Sequence, residues 1–278
     1  MKLSITRCQV SREKRANLET AKGAYKKAHE AGADLLILPE TFMSSVVNRS
    51  NAELWAEAEP VNGPFVKSLQ DLSKTSRLWS VFGMLERPTV PDQKQRVYNT
   101  VVVLDHKGQI ASTYRKTHLY DAFGTKESDV FLAGTALPEV IISPFGKMAV
   151  EVCYELRFPE ISRRLARQGA ELLVIPAAWY SGPNKAQQWT VLLQARALEN
   201  TIFVAGANQG GTTFAGDSII VDPLSTPLAH TNGDDDLVTV EIDLGQIEMV
   251  RQSLPCIHQI RNDLFLKDPS SIHGSSGT

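Results

Sequence analysis

Apolar and polar positions alternate from residue 3 to residue 10, the period-two pattern of a half-buried strand. The spacing then turns helical through Ala16, Ala24 and Ala28, which predicts a helix over about residues 13–31 that Gly32 closes. Residues 34–38 carry the short, wholly apolar run LLIL, as expected of a strand buried on both faces. That run leads directly into Pro39-Glu40, so a carboxylate stands at the carboxyl end of a strand, where open α/β folds carry their chemistry. A polar loop follows, then a helix over 64–76 and a strand over 79–86. Residues 98–104 and 109–114 read as a hairpin joined by Asp105-His106-Lys107-Gly108.

The second half repeats this plan. AGADLLILP (31–39) and QGAELLVIP (168–176) match in residue class at an offset of 137 positions, and the strand over 3–8 matches one ending at Cys153 at an offset of 145. The apolar strand before Gly83 resembles residues 201–206, and VVVLD resembles SIIVD at 218–222. Two halves of strand, helix, strand, helix, strand and hairpin each make a mixed sheet with helices on one face. Packing the bare faces together predicts an α/β fold, a four-layer α-β-β-α sandwich with an internal pseudo-twofold repeat. Under the same offsets Cys153 has Cys8 as its counterpart while Glu40 has Ala177, so each half supplies a different residue to a site at their junction. The rest of the second half reads as a turn at 182–185, an amphipathic helix over 187–200, an acidic loop at 232–236 and a last strand over 237–242. The domain is expected to span 1–266, followed by a flexible, small-residue tail over 267–278.

Composition narrows the function classes. The 278 residues are 42% hydrophobic and 22% charged, ample for a large core. A net charge of -2 leaves no electrostatic footprint for nucleic acid, and no Lys/Arg run suggests a membrane surface. The expected partners are small molecules and further copies of the chain. Three cysteines are too few for a disulfide framework and fit a reducing compartment. The opening MKLSITRCQV lacks the continuous apolar core of a signal peptide, and no apolar run approaches the ~20 residues of a membrane span, so the cytoplasm is the expected location. No G-x-S-x-G, G-x-G-x-x-G or Walker pattern occurs, and the six histidines show no ligand spacing, so neither metal nor cofactor is expected.

Candidate chemistry centres on Cys153. Pro159 and Glu160 suit the first turn of a helix and Gly169 its exit, which puts the thiol between a strand end and a helix N-terminus, where a thiolate or an oxyanion is favoured. The plain alternative is a buried strand cysteine. A nucleophilic thiol needs a base, by default a histidine, and His118 is the candidate. A better fit pairs a carboxylate base with a lysine that stabilises the oxyanion, and Lys116, set among aromatic and β-branched residues at a strand end, is the candidate. Taken singly, Lys116 also reads as a solvated loop lysine and Glu40 as an acid near a helix start.

Five segments in order, LLILPE, YRKTHLY, CYELRFPE, PAAW (176–179) and ARALEN, resemble the nitrilase superfamily of carbon–nitrogen hydrolases across residues 2–265. The resemblance implies the same sandwich, a homodimer or larger assembly, and a Glu-Lys-Cys triad. By position it makes Glu40 the general base, Lys116 the oxyanion lysine and Cys153 the nucleophile. Glu127, in a Glu-Ser pair, matches the family's second glutamate, and the backbone N–H of Tyr154 would complete the oxyanion hole. Cys-Tyr resembles the amidase branch near the Nit-type ω-amidases. Glu155, Ala149, Glu151 and Gln188 depart from common family residues. The implied reaction is hydrolysis of a non-peptide C–N bond in a small linear amide, ω-amides of dicarboxylic acids among the candidates, to acid and ammonia through a thioester. N-carbamoyl hydrolysis is the runner-up; acyl transfer, nitrile hydrolysis and a non-catalytic scaffold stand behind it. Arg157 either braces a nearby acid, the default, or reads a substrate carboxylate. Trp179 and Tyr180 are candidates for lining the pocket or for the core.

Overall fold

The computed structural model describes residues 1–215, 217–231, 237–261 and Asp263. The expected acidic loop at 232–236 and tail at 267–278 lie outside the described residues. The first half holds β1 (Lys2–Thr6), α1 (Lys14–Glu30), β2 (Leu35–Ile37), α2 (Asn51–Glu57), α3 (Pro64–Ser76), β3 (Trp79–Glu86), β4 (Val97–Leu104) and β5 (Ile110–Arg115). A small hairpin of β6 (Asp121–Ala122) and β7 (Thr125–Lys126) follows, then β8 (Phe131–Leu132), which pairs with β4. The second half holds β9 (Ile141–Ser143), β10 (Gly146–Val150), α4 (Pro159–Arg167), β11 (Leu172–Ala177), α5 (Lys185–Asn200), β12 (Phe203–Asn208), β13 (Ile219–Val221) and β14 (Pro227–His230). The last elements are β15 (Leu237–Glu241) and α6 (Gln246–Ser253).

The sheets run β15-β1-β2-β3-β4-β5 and β14-β13-β12-β11-β10-β9. Residue alternation sorts the first sheet's two faces. Leu3, Ile5, Leu35, Ile37, Val81 and Val101 join one core with Met148, Val150, Leu172 and Val174 of the second sheet, while Leu36, Leu38, Phe82 and Val102 join Ala21, Tyr25, Phe65 and Leu69 of α1 and α3. Trp189, Leu193 and Ala197 of α5 and Ile161 and Leu165 of α4 complete the first cluster. The layers are therefore helix, sheet, sheet, helix, the sandwich that the repeat predicts. No helix among the described residues is long and apolar enough to cross a membrane.

The repeat holds at the level of register. Leu3 faces Leu35 in the first sheet and Met148 faces Leu172 in the second, which are equivalent pairs under the two sequence offsets. The two hairpin turns are closed alike: Asp105 Oδ1 accepts from the N–H of Lys107 and Gln109, and Asp222 Oδ1 from those of Leu224 and Thr226. The glycines do not correspond. Leu35 faces Trp79 and Leu172 faces Phe203, so Gly83 is equivalent to Ala207 and Gly206 to Phe82.

Three local expectations change. Within the segment read as a polar loop, Ser50 caps α2 with a full capping box to Glu53, a Ser-x-x-Glu signal present in the sequence. The alternation to residue 10 ends as a strand at Thr6, and Cys8 makes an isolated bridge to Gln209. The strand expected to end at Cys153 stops at Val150; a 3-10 turn over Cys153–Arg157 intervenes, and α4 begins only at Pro159. Just before this turn Glu151 is fully buried, with no hydrogen-bond partner for either oxygen among the described residues, and burial pushes its carboxyl up to about 8.

Candidate active site

Glu40 follows β2 and is 3% exposed. The chain turns sharply there, with Thr41 at a φ of 47°. Such a value is costly for a β-branched residue and persists only where neighbours hold it. Gln209 supplies part of that hold, its Nε2 donating to Glu40 O at 2.7 Å and to Thr41 Oγ1 at 3.0 Å. Gly83 on β3 supplies the room. A Cβ at Gly83 would lie 2.2 Å from Thr41 N and 2.8 Å from Glu40 Cα, both backbone atoms that have nowhere to go. Gly83→Ala is therefore expected to lower Tm by roughly 5–10 °C and to cut kcat by at least about tenfold by moving Glu40. A thermal melt together with steady-state rates checks both.

The Glu40 carboxylate is surrounded by donors. Oε1 accepts from Lys116 Nζ at 3.0 Å and Asn99 Nδ2 at 2.7 Å, and Oε2 accepts from Ala178 N at 2.7 Å. Ala178 directly follows β11, as Glu40's turn follows β2, so the two repeat-related strand ends meet at this hydrogen bond. Lys116 leaves β5 with its N–H on Asn99 O and buries its whole side chain. Its ammonium also donates to both oxygens of Glu127, at 3.0 and 2.9 Å. Burial alone would lower the Lys116 pKa, but the charges of Glu127 and Glu40 outweigh it and hold the ammonium well above its ordinary value. Burial, with the Glu40 charge, raises Glu127 against the pull of Lys116.

Cys153 is 7% exposed and sits at a φ of 47°. Burial first, and the Glu40 charge second, push its thiol well above the ordinary value, more than Lys116 draws it down. Burial and the Glu40 charge therefore favour the protonated thiol, and α4 starts only six residues further on, so the helix N-terminus expected beside Cys153 is set back behind a 3-10 turn. The turn itself is held by Glu155. This fully buried carboxylate accepts from Val152 N at 2.9 Å, Thr117 N at 2.8 Å, Thr117 Oγ1 at 2.7 Å and Tyr114 OH at 2.6 Å. Burial pushes Glu155 up, yet the hydrogen bonds from His118, Tyr114 and Thr117 prevail and keep it below the usual range. One side chain so ties the Lys116 loop to the Cys153 turn.

Eight residues singled out in the sequence line one cavity of about 210 Å³: Glu40, Lys116, Glu127, Cys153, Tyr154, Arg157, Trp179 and Tyr180. Trp179 is also core, 4% exposed, with its indole N–H on Lys185 O. His118 does not line the cavity; its ring stacks on Phe158 at 4.1 Å and Nδ1 lies 2.9 Å from Thr117 Oγ1, so it is no base for Cys153. Arg157 braces no acid among the described residues. It donates to Gln188 Oε1 at 2.8 Å and lies 4.7 Å over the Trp179 ring, which overturns the default reading. Four contributors went unread: Asn99, Gln209, the Ala178 N–H and Lys185. Asn99 within the otherwise apolar TVVVL strand was the one visible signal, a polar residue where a buried strand tolerates none without a partner.

The model of the carbon-nitrogen hydrolase family matches residues 3–252. Human deaminated glutathione amidase is 36% identical over 271 residues, covering 93% of this chain and 82% of its own. The crystal structure of the C. elegans NitFhit protein superposes with a TM-score of 0.87 at 27% identity, covering 95% of this chain and 66% of that one. A variant of the amidase from Nesterenkonia sp. AN1, carrying acrylamide added at its active-site cysteine, superposes with a TM-score of 0.73 at 26% identity, covering 92% and 98%. A buried cysteine, a carboxylate and a lysine at the junction of two repeated sheets stand beside these similarities, and the chain belongs to the carbon-nitrogen hydrolase family as a cysteine-dependent amidase of the nitrilase superfamily.

Proposed function

We propose that the chain hydrolyses a small linear amide through a thioester on Cys153, with Glu40 as the only proton carrier. The observation that carries this reading is the pairing of a thiol kept protonated by burial with a carboxylate whose hydrogen bonds all come from donors, in one cavity. Glu40 accepts the thiol proton as sulfur attacks the amide carbonyl, so the C–S bond forms while charge moves to oxygen. The Lys116 ammonium and the Tyr154 N–H receive that charge; the latter belongs to the first turn of a 3-10 segment, where N–H groups lack an intrahelical acceptor. Glu127 fixes the ammonium by two hydrogen bonds and leaves the proton traffic to Glu40. Collapse breaks the C–N bond, and the Glu40 proton leaves with the nitrogen as ammonia. Water then attacks the thioester, its proton passes to Glu40, the C–S bond breaks and the thiol is restored with the acid released.

The substrate class in this reading is a short amide, the ω-amide of a dicarboxylic acid first. Deaminated glutathione, from the name of the human relative, is the second compound to try. Rapid-quench mass spectrometry with glutaramate is expected to show Cys153 acylated, together with ammonia release in steady state. Ammonia from pentanenitrile and from none of glutaramate, pentanamide or N-carbamoyl-β-alanine would overturn the amide reading, and turnover of the carbamoyl compound alone would replace it with the runner-up.

A further inference from the structure

Lys185 has the burial of a core residue and lacks the partner such a lysine ordinarily has. It is 8% exposed and lines the same cavity as Cys153. Its ammonium donates to Tyr120 OH at 3.0 Å and stands 3.8 Å over the ring of Phe123, at the tip of the β6–β7 hairpin, and 5.9 Å from the Trp179 ring. Among the described residues no carboxylate lies within ion-pair distance of it, although lysines are almost never buried unless paired. Its position adds to the cost. Lys185 opens α5, whose first turn carries no acidic residue, so a cation occupies the end of the helix that already bears partial positive charge.

Arg157 is in a similar state on the same indole. Its guanidinium lies 4.7 Å over Trp179, its Nη2 is satisfied by Gln188, and its Nε is buried with no partner among the described residues. The cavity's own carboxylates, Glu40 and Glu127, are committed to Lys116. The lining thus divides into an end where charges are matched, around Cys153, and a wall where two cations and a phenol hydroxyl share one aromatic surface without an anion.

We propose that Lys185, assisted by Arg157, is the anchor for a carboxylate on the substrate, holding the amide of a carboxylated amide against Cys153. This deepens the amidase reading above and rests on it for the reacting end. The incoming anion supplies the missing counter-charge to Lys185 and offsets the helix-end repulsion, with the Arg157 guanidinium adding positive charge on the same indole. Lys185 itself is only 8% exposed, so the contact is largely desolvated, which strengthens a charge-assisted hydrogen bond. A cavity of about 210 Å³ limits the chain between carboxylate and amide to a few carbons. The carboxylate can belong to the acyl part, as in glutaramate, or to the leaving amine, as in N-pentanoylglycine. The anchor chemistry is the same, and the two compounds distinguish the sources.

The test is the selectivity ratio of kcat/KM for each carboxylated amide over neutral pentanamide, in the wild type, Lys185→Met and Lys185→Arg. Lys185→Met is expected to lower that ratio by about 10- to 100-fold, mostly through KM, for whichever carboxylated compound the wild type prefers, and Lys185→Arg to recover part of it. A ratio within about threefold of wild type in a Lys185→Met protein that still hydrolyses pentanamide overturns the anchor and leaves the amidase intact. A wild type that shows no preference for either carboxylated amide over pentanamide overturns it too. Calorimetric binding of glutaramate to Cys153→Ala, with and without Lys185→Met, needs no chemistry. A Lys185-dependent affinity in a chain that hydrolyses none of these amides would keep the anchor and sink the amidase reading. Equal affinity in the two proteins would remove the anchor alone.

Discussion

Replacing Cys153 by alanine is expected to abolish amide turnover, by at least about 10⁴-fold, while moving Tm by no more than a few degrees. The two halves of that result rest on different observations. The sulfur is the only atom lost, the site is 7% exposed, and alanine retains the Cβ that already tolerates a φ of 47°. The turn is held by Glu155 through backbone and hydroxyl donors that do not involve the thiol. A folded protein without the proposed nucleophile results. Cys8, the counterpart in the repeat, cannot take over: it pairs in an isolated bridge with Gln209 and lines no wall of the cavity. Turnover of Cys153→Ala at anything near the wild-type rate, on protein shown intact by its melting curve, would move the nucleophile elsewhere.

Lys116→Met is expected to fail in a second manner, losing activity and stability together with a distinctive pH dependence. In the proposed mechanism the lost ammonium is an oxyanion donor, for which a fall of about 10²–10³ in kcat is the usual scale. Among the described residues it is also the only cation in ion-pair contact with Glu40 and Glu127, and methionine fills its volume without its charge. The buried Glu40 and the partly buried Glu127, sharing Asn99 as a donor, then face each other unscreened. One must hold a proton, so the pair's apparent pKa rises. A carboxyl whose folded pKa lies above its unfolded value takes up stabilising protons at low pH and loses them as pH rises. The variant's deficit in Tm should accordingly be small near pH 5 and grow toward pH 8, where breaking such a buried pair costs about 3–5 kcal/mol. The acid limb of the rate profile should shift upward as well, because Glu40 can act as a base only once the pair has ionised. A deficit independent of pH would mean that Lys116 acts by packing alone. Thermal melts at several pH values and a pH–rate profile together settle the point.

How much of this was legible in the chain depends on the kind of constraint. Elements with strong periodicity and firm boundary residues came out at their true limits: α3 with Pro64 at its start, and β3 over eight buried residues. The repeat predicted the layers, because offsets between apolar strands carry register and register fixes which face is bare. What escaped was conformation and burial at single positions. Nothing in CYELRFPE announces that Cys153 takes a left-handed turn, or that desolvation outweighs Lys116 at the thiol, since both depend on atoms distant in sequence. Glu155 was visible only as a departure from common family residues, and its reach has meaning only when the Thr117 N–H and the Val152 N–H both point at it. Lys185 read as a turn residue because a lysine after Ser-Gly-Pro-Asn ordinarily faces solvent. Gln209 and Asn99 sit in or next to strands and belong to no motif.

The order of strands in the two sheets differs in one respect that bears on how the chain is made. The edge neighbour of β10 is β9, two residues before it, whereas the edge neighbour of β1 is β15, with Lys2 facing Glu241 and the Met1 amine donating to Ile242 O. The second sheet can close that edge as a local hairpin. The first cannot finish until residues 237–241 have been made, and at about 5–20 residues per second the β1 edge stays unpaired for roughly ten seconds after β5 has been made. An open strand edge of that lifetime invites pairing with a neighbouring nascent chain. Overproduction is therefore expected to lose newly made protein by pairing at that edge, even though the finished fold covers it, and soluble yield measured against expression rate would show it.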